Sequence, residues 1–207
     1  MHDQRASTHS RVMYITRALS RAHISILTVA LTYLVSVIVG IVMVHAGNDF
    51  AIAYRDSIVS RAQSNPIIVA FHQNDRWRAA LLDFAGNLFG AVATTLGGVG
   101  VLIAYPIMAY RGWIGGIVSL NSAHVSRLAD PSEAWYYIVT LVLQLTPYTL
   151  SGGAGVNVGL ALVKPSTHYQ GEKWLGIPKE AIRDALWIYL LVVPLFLVAS
   201  LWEFFAR

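Results

Sequence analysis

The sequence has no cysteine. Disulfides, thiolate metal sites, iron–sulfur clusters and cysteine nucleophiles are therefore excluded together, and nothing marks a redox compartment. It is also poor in charge. Asp, Glu, Lys and Arg make up 13% of the 207 residues, against roughly 25% in an ordinary soluble domain. So little charge cannot cover a globule with polar surface. The sequence has no repeat at solenoid periods and no low-complexity tract. Its longest polar segment, about 35 residues, is shorter than a domain that folds alone without staples.

What is present is apolar sequence: 56% hydrophobic residues and a mean hydropathy of +0.54. The apolar residues come in blocks, and a block of about 18 or more indicates a transmembrane helix. The expected fold is an all-α, polytopic membrane helix bundle of about five transmembrane helices plus an interfacial amphipathic helix. Residues 1–23 form a basic tail with Arg5, Arg11, Arg17 and Arg21 against one acid, Asp3. Residues 24–207 form a single transmembrane domain, with spans near 24–46, 79–108, 112–126, 135–163 and 181–205. The basic start followed by an apolar run resembles a signal peptide, with Val44-His45-Ala46 as a mock cleavage site. At about 20 residues the run is too long for a signal core and reads as a retained first span.

Between the first two spans, Phe50, Tyr54 and Ile58 recur at helical spacing and suggest a helix lying at the interface. Asn65-Pro66 marks a turn. The long apolar stretch 79–126 must turn once. Its only charge after Asp83 is Arg111, so the turn is expected at Tyr110-Arg111-Gly112, with Pro106 bending the helix before it. Trp77, Trp113, Trp135, Trp174 and Trp202 fall near expected span ends, where amphipathic rings prefer to sit. With the N-terminus inside, nine of the 15 Lys and Arg lie in inner segments, which favours a cytoplasmic N-terminus by the positive-inside rule.

Three chemical features stand out. The first is the run "QLTPYTLSGGAGVNVG" (144–159). It has neither the Lys and hydroxyl of a phosphate loop nor the strand and acid of a dinucleotide fingerprint. Gly155 and Gly159 instead share a helix face, as do Gly86 with Gly90 and Gly112 with Gly116, and such faces let backbones approach closely. They either pack within the chain or receive a partner. The second is Pro147, which removes a backbone donor and predicts a kinked or broken helix, with Thr149 among the hydroxyls at hand. The third is Asp83 with Asn87, four residues apart on one helix face. An acid there is either an ion or proton site or an interfacial group paired near Arg76 and Arg78. The seven histidines (His2, His9, His23, His45, His72, His124 and His168) form no ligand spacing. No Gly-x-Ser-x-Gly elbow occurs. No enzyme class, cofactor, metal or nucleic-acid partner is expected.

The segments "FHQNDRWRAALLDFAGNLFGAVATTL", "YRGWIGGI", "LTPYTLSGGAGVNVG" and "IPKEAIRDALWIYLLVVPLFLVASLWEFF" follow one another from Phe71 onward. In this order they resemble the stage II sporulation protein M family of prokaryotic membrane proteins. Asn74-Asp75 stands for the family's Asn-Asn pair. Gly86 and Gly90, Arg111-Gly112 with Gly116, and Glu203 before Phe204 and Phe205 follow its pattern. In the family's Pro-His-Gly-x-x-Glu motif, Pro147 is kept, but Tyr148, Thr149 and Gly152 replace the polar residues. The resemblance implies a prokaryotic cytoplasmic-membrane protein. The founding member's role implies a scaffold that holds other proteins rather than a catalyst. The expected function is thus a non-enzymatic membrane scaffold or accessory subunit, whose partners are membrane lipids and other membrane proteins or a second copy. The alternative is a small transporter or channel using Asp83, Asn87 and a helix broken at Pro147.

Overall fold

The computed structural model describes residues 2–121, 125–164 and 169–206, with side chains from residue 11. The end of the expected third span at 122–124, Pro165, His124 and His168 lie outside these residues, as do the side chains of Arg5, His2 and His9. Among the described residues seven α-helices follow in order: α1 (His2–His45), α2 (Asp49–Ala62), α3 (Pro66–His72), α4 (Arg76–Val99), α5 (Ala104–Ile117), α6 (Pro131–Val163) and α7 (Lys179–Phe205), with a short 3-10 turn (Arg127–Ala129) before α6. A two-residue hairpin, β1 (Lys173–Trp174) and β2 (Ile177–Pro178), precedes α7. Its turn residues Leu175 and Gly176 both have positive φ (50° and 81°), as a tight hairpin turn demands.

Local chemistry sets several helix starts. The side chains of Asn48, Asn65, Asp75 and Asp130 accept from the backbone N–H of Ala51, Ile67, Arg78 and Ser132, satisfying donors that the first turn leaves open. Pro66 and Pro131 follow at the first helical position, where a missing N–H costs nothing.

The turn expected at Tyr110-Arg111-Gly112 lies elsewhere. α4 ends at Val99, and the chain reverses through Gly100 and Val101, whose φ of 56° is rare for a β-branched residue. Arg111 sits inside α5, because its charge points into the bundle and does not mark a loop. Pro106 is the third residue of α5 and bends nothing. The glycines at 97, 98 and 100 are the real breakers. The basic N-terminal segment is continuous with the first helix and held against the bundle. α1 is one helix through it, Tyr14 stacks on Trp187 of α7 at 5.3 Å, and Ala18 and Ala22 are buried.

Five helices form the bundle. α1 and α5 run together, with Tyr33 level with Gly112 and Val37 with Gly116. α4 and α6 run together the other way, with Thr95 and Val99 meeting Gly155 and Gly159. α7 runs against α4, since Ser200 meets Asp83 and Tyr189 meets Thr95. α2 covers the end of α5, where Phe50 stacks on Trp113, Tyr54 lies tilted against it, and the Tyr54 and Tyr110 hydroxyls are 2.9 Å apart. α3 packs at the start of α4 against Phe204.

Three of the described helices are long and apolar enough to cross a membrane: Arg11–His45, Arg76–Val99 and Lys179–Phe205. This is fewer than the five spans expected. α5 has only 14 residues, and α6, although 33 long, is diluted by glycine and polar residues. α6 is instead the buried core of the bundle, with every residue from Ser151 to Gly159 buried.

Candidate functional site

Glycines bring the helices close enough that side chains elsewhere must leave a gap. A Cβ on Gly155 would meet the backbone of Thr95, and one on Gly159 would lie 2.5 Å from the Val99 carbonyl. A Cβ on Gly153 would lie 2.5 Å from the Ile26 Cα, and one on Gly40 would be 2.6 Å from the Trp113 carbonyl. Gly112 and Gly116 press on the backbone of α1. Gly90 leaves its space to the Arg111 guanidinium, whereas Gly86 has nothing within 4 Å. Of the six glycines singled out by spacing, five are thus engaged inside the chain.

Where α5 meets α6 less closely there is a cavity of about 850 Å³. It extends from Arg111 and Tyr148 at mid-bundle to Arg61 and Asn65 beside α2. Tyr33, Asn87, Tyr137, Thr140, Gln144 and Glu203 contribute polar atoms, and Ile58, Ile107, Ile114 and Leu141 contribute apolar wall. The Arg111 guanidinium lies 4.2 Å from the centroid of the Tyr148 ring. That ring is wedged edge-on against Phe196 at 4.7 Å. Among the described residues no carboxylate forms an ion pair with Arg111. A cation at mid-membrane costs about 2.5–3.5 kcal/mol, and a cation–π contact returns up to about 2 kcal/mol. The cavity lets the remainder be met by solvation or by an anion.

A chain of hydrogen bonds runs from the cavity across the core. Tyr148 donates to the Asn87 carbonyl oxygen (2.7 Å), and Asn87 donates to Asp83 (2.9 Å). Ser200 also donates to Asp83 (2.6 Å). The two ionisable groups Asp83 and Arg111 are therefore connected through the neutral Asn87 and Tyr148. Asp83 is not paired at the interface with Arg76 or Arg78 in any described ion pair, nor does it line the cavity; only Asn87 of the expected polar pathway does. Of the kinked or broken helix expected at Pro147, the break does not occur: α6 is continuous through it. Thr149 turns back to the Thr146 carbonyl (3.0 Å) and away from the cavity wall. On the cavity wall, Glu203 accepts from Gln144 (3.1 Å), and its backbone carbonyl accepts from Tyr136 (2.7 Å).

A second polar cluster lies at the opposite end. Arg21 donates twice to Asp184 (both 2.6 Å) and once to Glu180 (2.9 Å). Tyr169 donates to Asp184 (2.9 Å) and accepts from Asn157 (2.7 Å). Burial pushes the Tyr169 phenol up to about 12. Sequence reading missed Arg21, Asp184, Tyr148, Ser200 and the inward Arg111. Asp184, an acid four residues into an apolar span, was the one signal on offer. Among the described residues no three His, Cys, Asp or Glu gather as metal ligands.

A bundle of apolar helices around a glycine-rich core, with polar side chains confined to its interior and ends, defines a helical integral membrane protein. The chain belongs to the stage II sporulation protein M family, whose model matches residues 29–206. The match reaches back into α1, beyond the segments in which the resemblance was read. No curated protein and no solved structure matches the chain.

Proposed function

We propose that the protein is a non-enzymatic scaffold or accessory subunit of a larger complex in a prokaryotic cytoplasmic membrane, crossing it five times with α1, α4, α5, α6 and α7. The observation that carries this reading is the outer face of α4. Gly86 leaves open space there beside the exposed Phe89 and Leu96, while the other five glycines are used inside. A partner helix, from another membrane protein or a second copy, fits that recess by close backbone approach. The basic end is taken as cytoplasmic. Arg5, Arg11, Arg17, Arg21, Lys164, Lys173, Lys179 and Arg183 lie in its segments. Arg111 leaves the inner tally because it lies within the bundle. Anionic lipid at that surface adds attraction of about 1 kcal/mol per basic residue.

The test is co-purification in mild detergent. Gly86→Leu should strip a partner from the wild-type complex while leaving the chain folded. A wild-type chain that runs as a lone monomer in every mild detergent would remove the proposal. A second reading, a small transporter or channel, is favoured by the cavity and the Asp83–Asn87–Tyr148 chain behind it. It requires that Asp83→Asn abolish a flux measured in liposomes; a flux untouched by that change counts against it.

A further inference from the structure

We infer that the cavity between α5 and α6 is a binding site for a phosphate-bearing anion, held chiefly by Arg111. Three observations converge. The Arg111 guanidinium is fixed over the Tyr148 ring and faces the cavity, with no ion pair to a described carboxylate. A planar guanidinium matches phosphate oxygens two at a time. Arg61 lines the same cavity from α2, and its bond from Nε goes to the Ser57 carbonyl (3.2 Å), a neutral acceptor. The wall is polar only in part. Ile107 and Ile114 flank Arg111 on α5, so an apolar stem can lie beside a bound head group. Glu203, the one carboxylate on the wall, is engaged by Gln144. The site goes beyond the scaffold reading, which needs no ligand in the cavity.

The phosphate can come from a lipid head group or from free phosphate, and the test separates the two. Native mass spectrometry of the full chain in detergent, with phosphatidylglycerol against phosphatidylcholine, is the first arm. Thermal unfolding with inorganic phosphate against chloride at equal ionic strength is the second. The wild-type chain should retain phosphatidylglycerol about tenfold better than phosphatidylcholine, or be raised in Tm by phosphate. Preference in the first arm alone assigns a lipid head group; protection in the second assigns a free anion. Arg111→Gln should abolish the effect and Arg111→Lys should keep part of it. Arg17→Gln, at the opposite end, should leave the phosphate effect on Tm unchanged and lower phosphatidylglycerol retention less than Arg111→Gln does, which separates the cavity from the basic surface. Should Arg111→Gln not fold, Arg61→Gln on the exposed face of α2 replaces it, with a weaker effect expected. No discrimination in either arm by the wild-type chain, or undiminished discrimination in the folded variants, overturns the inference.

Discussion

Two arginines on the helices of this bundle live under opposite rules. Arg21 meets Asp184 through two hydrogen bonds and Glu180 through a third, and the ring of Tyr169 lies 5.5 Å from its guanidinium. Arg111 meets an aromatic face and a cavity. At the first site every strong charge has its partner within the chain, so the cluster works as a clamp joining α1 to α7. At the second no ion pair forms among the described residues, and Asp83 is reached only through Asn87 and Tyr148. A satisfied buried pair specifies structure, whereas a charge left facing a cavity is what binding sites are made of.

The comparison can be broken most severely at the clamp. Arg21→Ala leaves Asp184, which is 2% exposed, without its cation. The expected loss is about 3–5 kcal/mol, read as a lowered unfolding midpoint in detergent; a shift of under about 1 kcal/mol would contradict the clamp. Next in size is Gly155→Ala, whose Cβ would lie 2.7 Å from the Thr95 Cα. Overpacking there should cost about 1–3 kcal/mol, while Gly86→Ala, with open space beside it, should be neutral or gain up to about 1 kcal/mol in helix propensity. Equal effects at the two glycines would show that the α4–α6 contact is not tight. Smaller again is Arg111→Gln without added anion. It strands no paired acid, so it should shift stability by no more than about 1–2 kcal/mol, the worth of the cation–π contact.

A further effect appears only at high pH. The folded Tyr169 phenol titrates at about 12, above the ordinary value of 10.0 for an unfolded chain. Its contribution to stability is therefore complete below pH 10 and is lost as pH rises through 12. A Tyr169→Phe chain should show a flatter decline over that window than the wild type, and identical slopes would remove the assignment.

Much of the frame was legible in the sequence because it rests on local rules. The Asn65-Pro66 turn signal marks the start of α3, and the fourth and fifth apolar blocks became α6 and α7 to within a few residues. Asp83 and Asn87, read as sharing a face, are hydrogen-bonded. The errors share a cause. Arg111 was taken for a loop because charge usually marks water, and only tertiary packing shows that it faces an interior cavity. Pro147 was read as a kink or a break, and the helix continues on both sides of it. What the basic tail packs against was not legible because Arg21's partners lie far along the chain, where no periodicity links them. The family match confirmed the resemblance and extended it to residues 29–206.

The Arg21–Asp184 clamp also has a consequence in time. Its two ends are 163 residues apart. At a synthesis rate of about 5–20 residues per second, Asp184 leaves the ribosome roughly 8–30 seconds after Arg21. During that interval α1 is in place without its counter-charge, and α7 cannot be replaced by any earlier helix. Assembly therefore joins two distant parts of the sequence: α1 waits for α7, and the clamp closes only after Asp184 has been made.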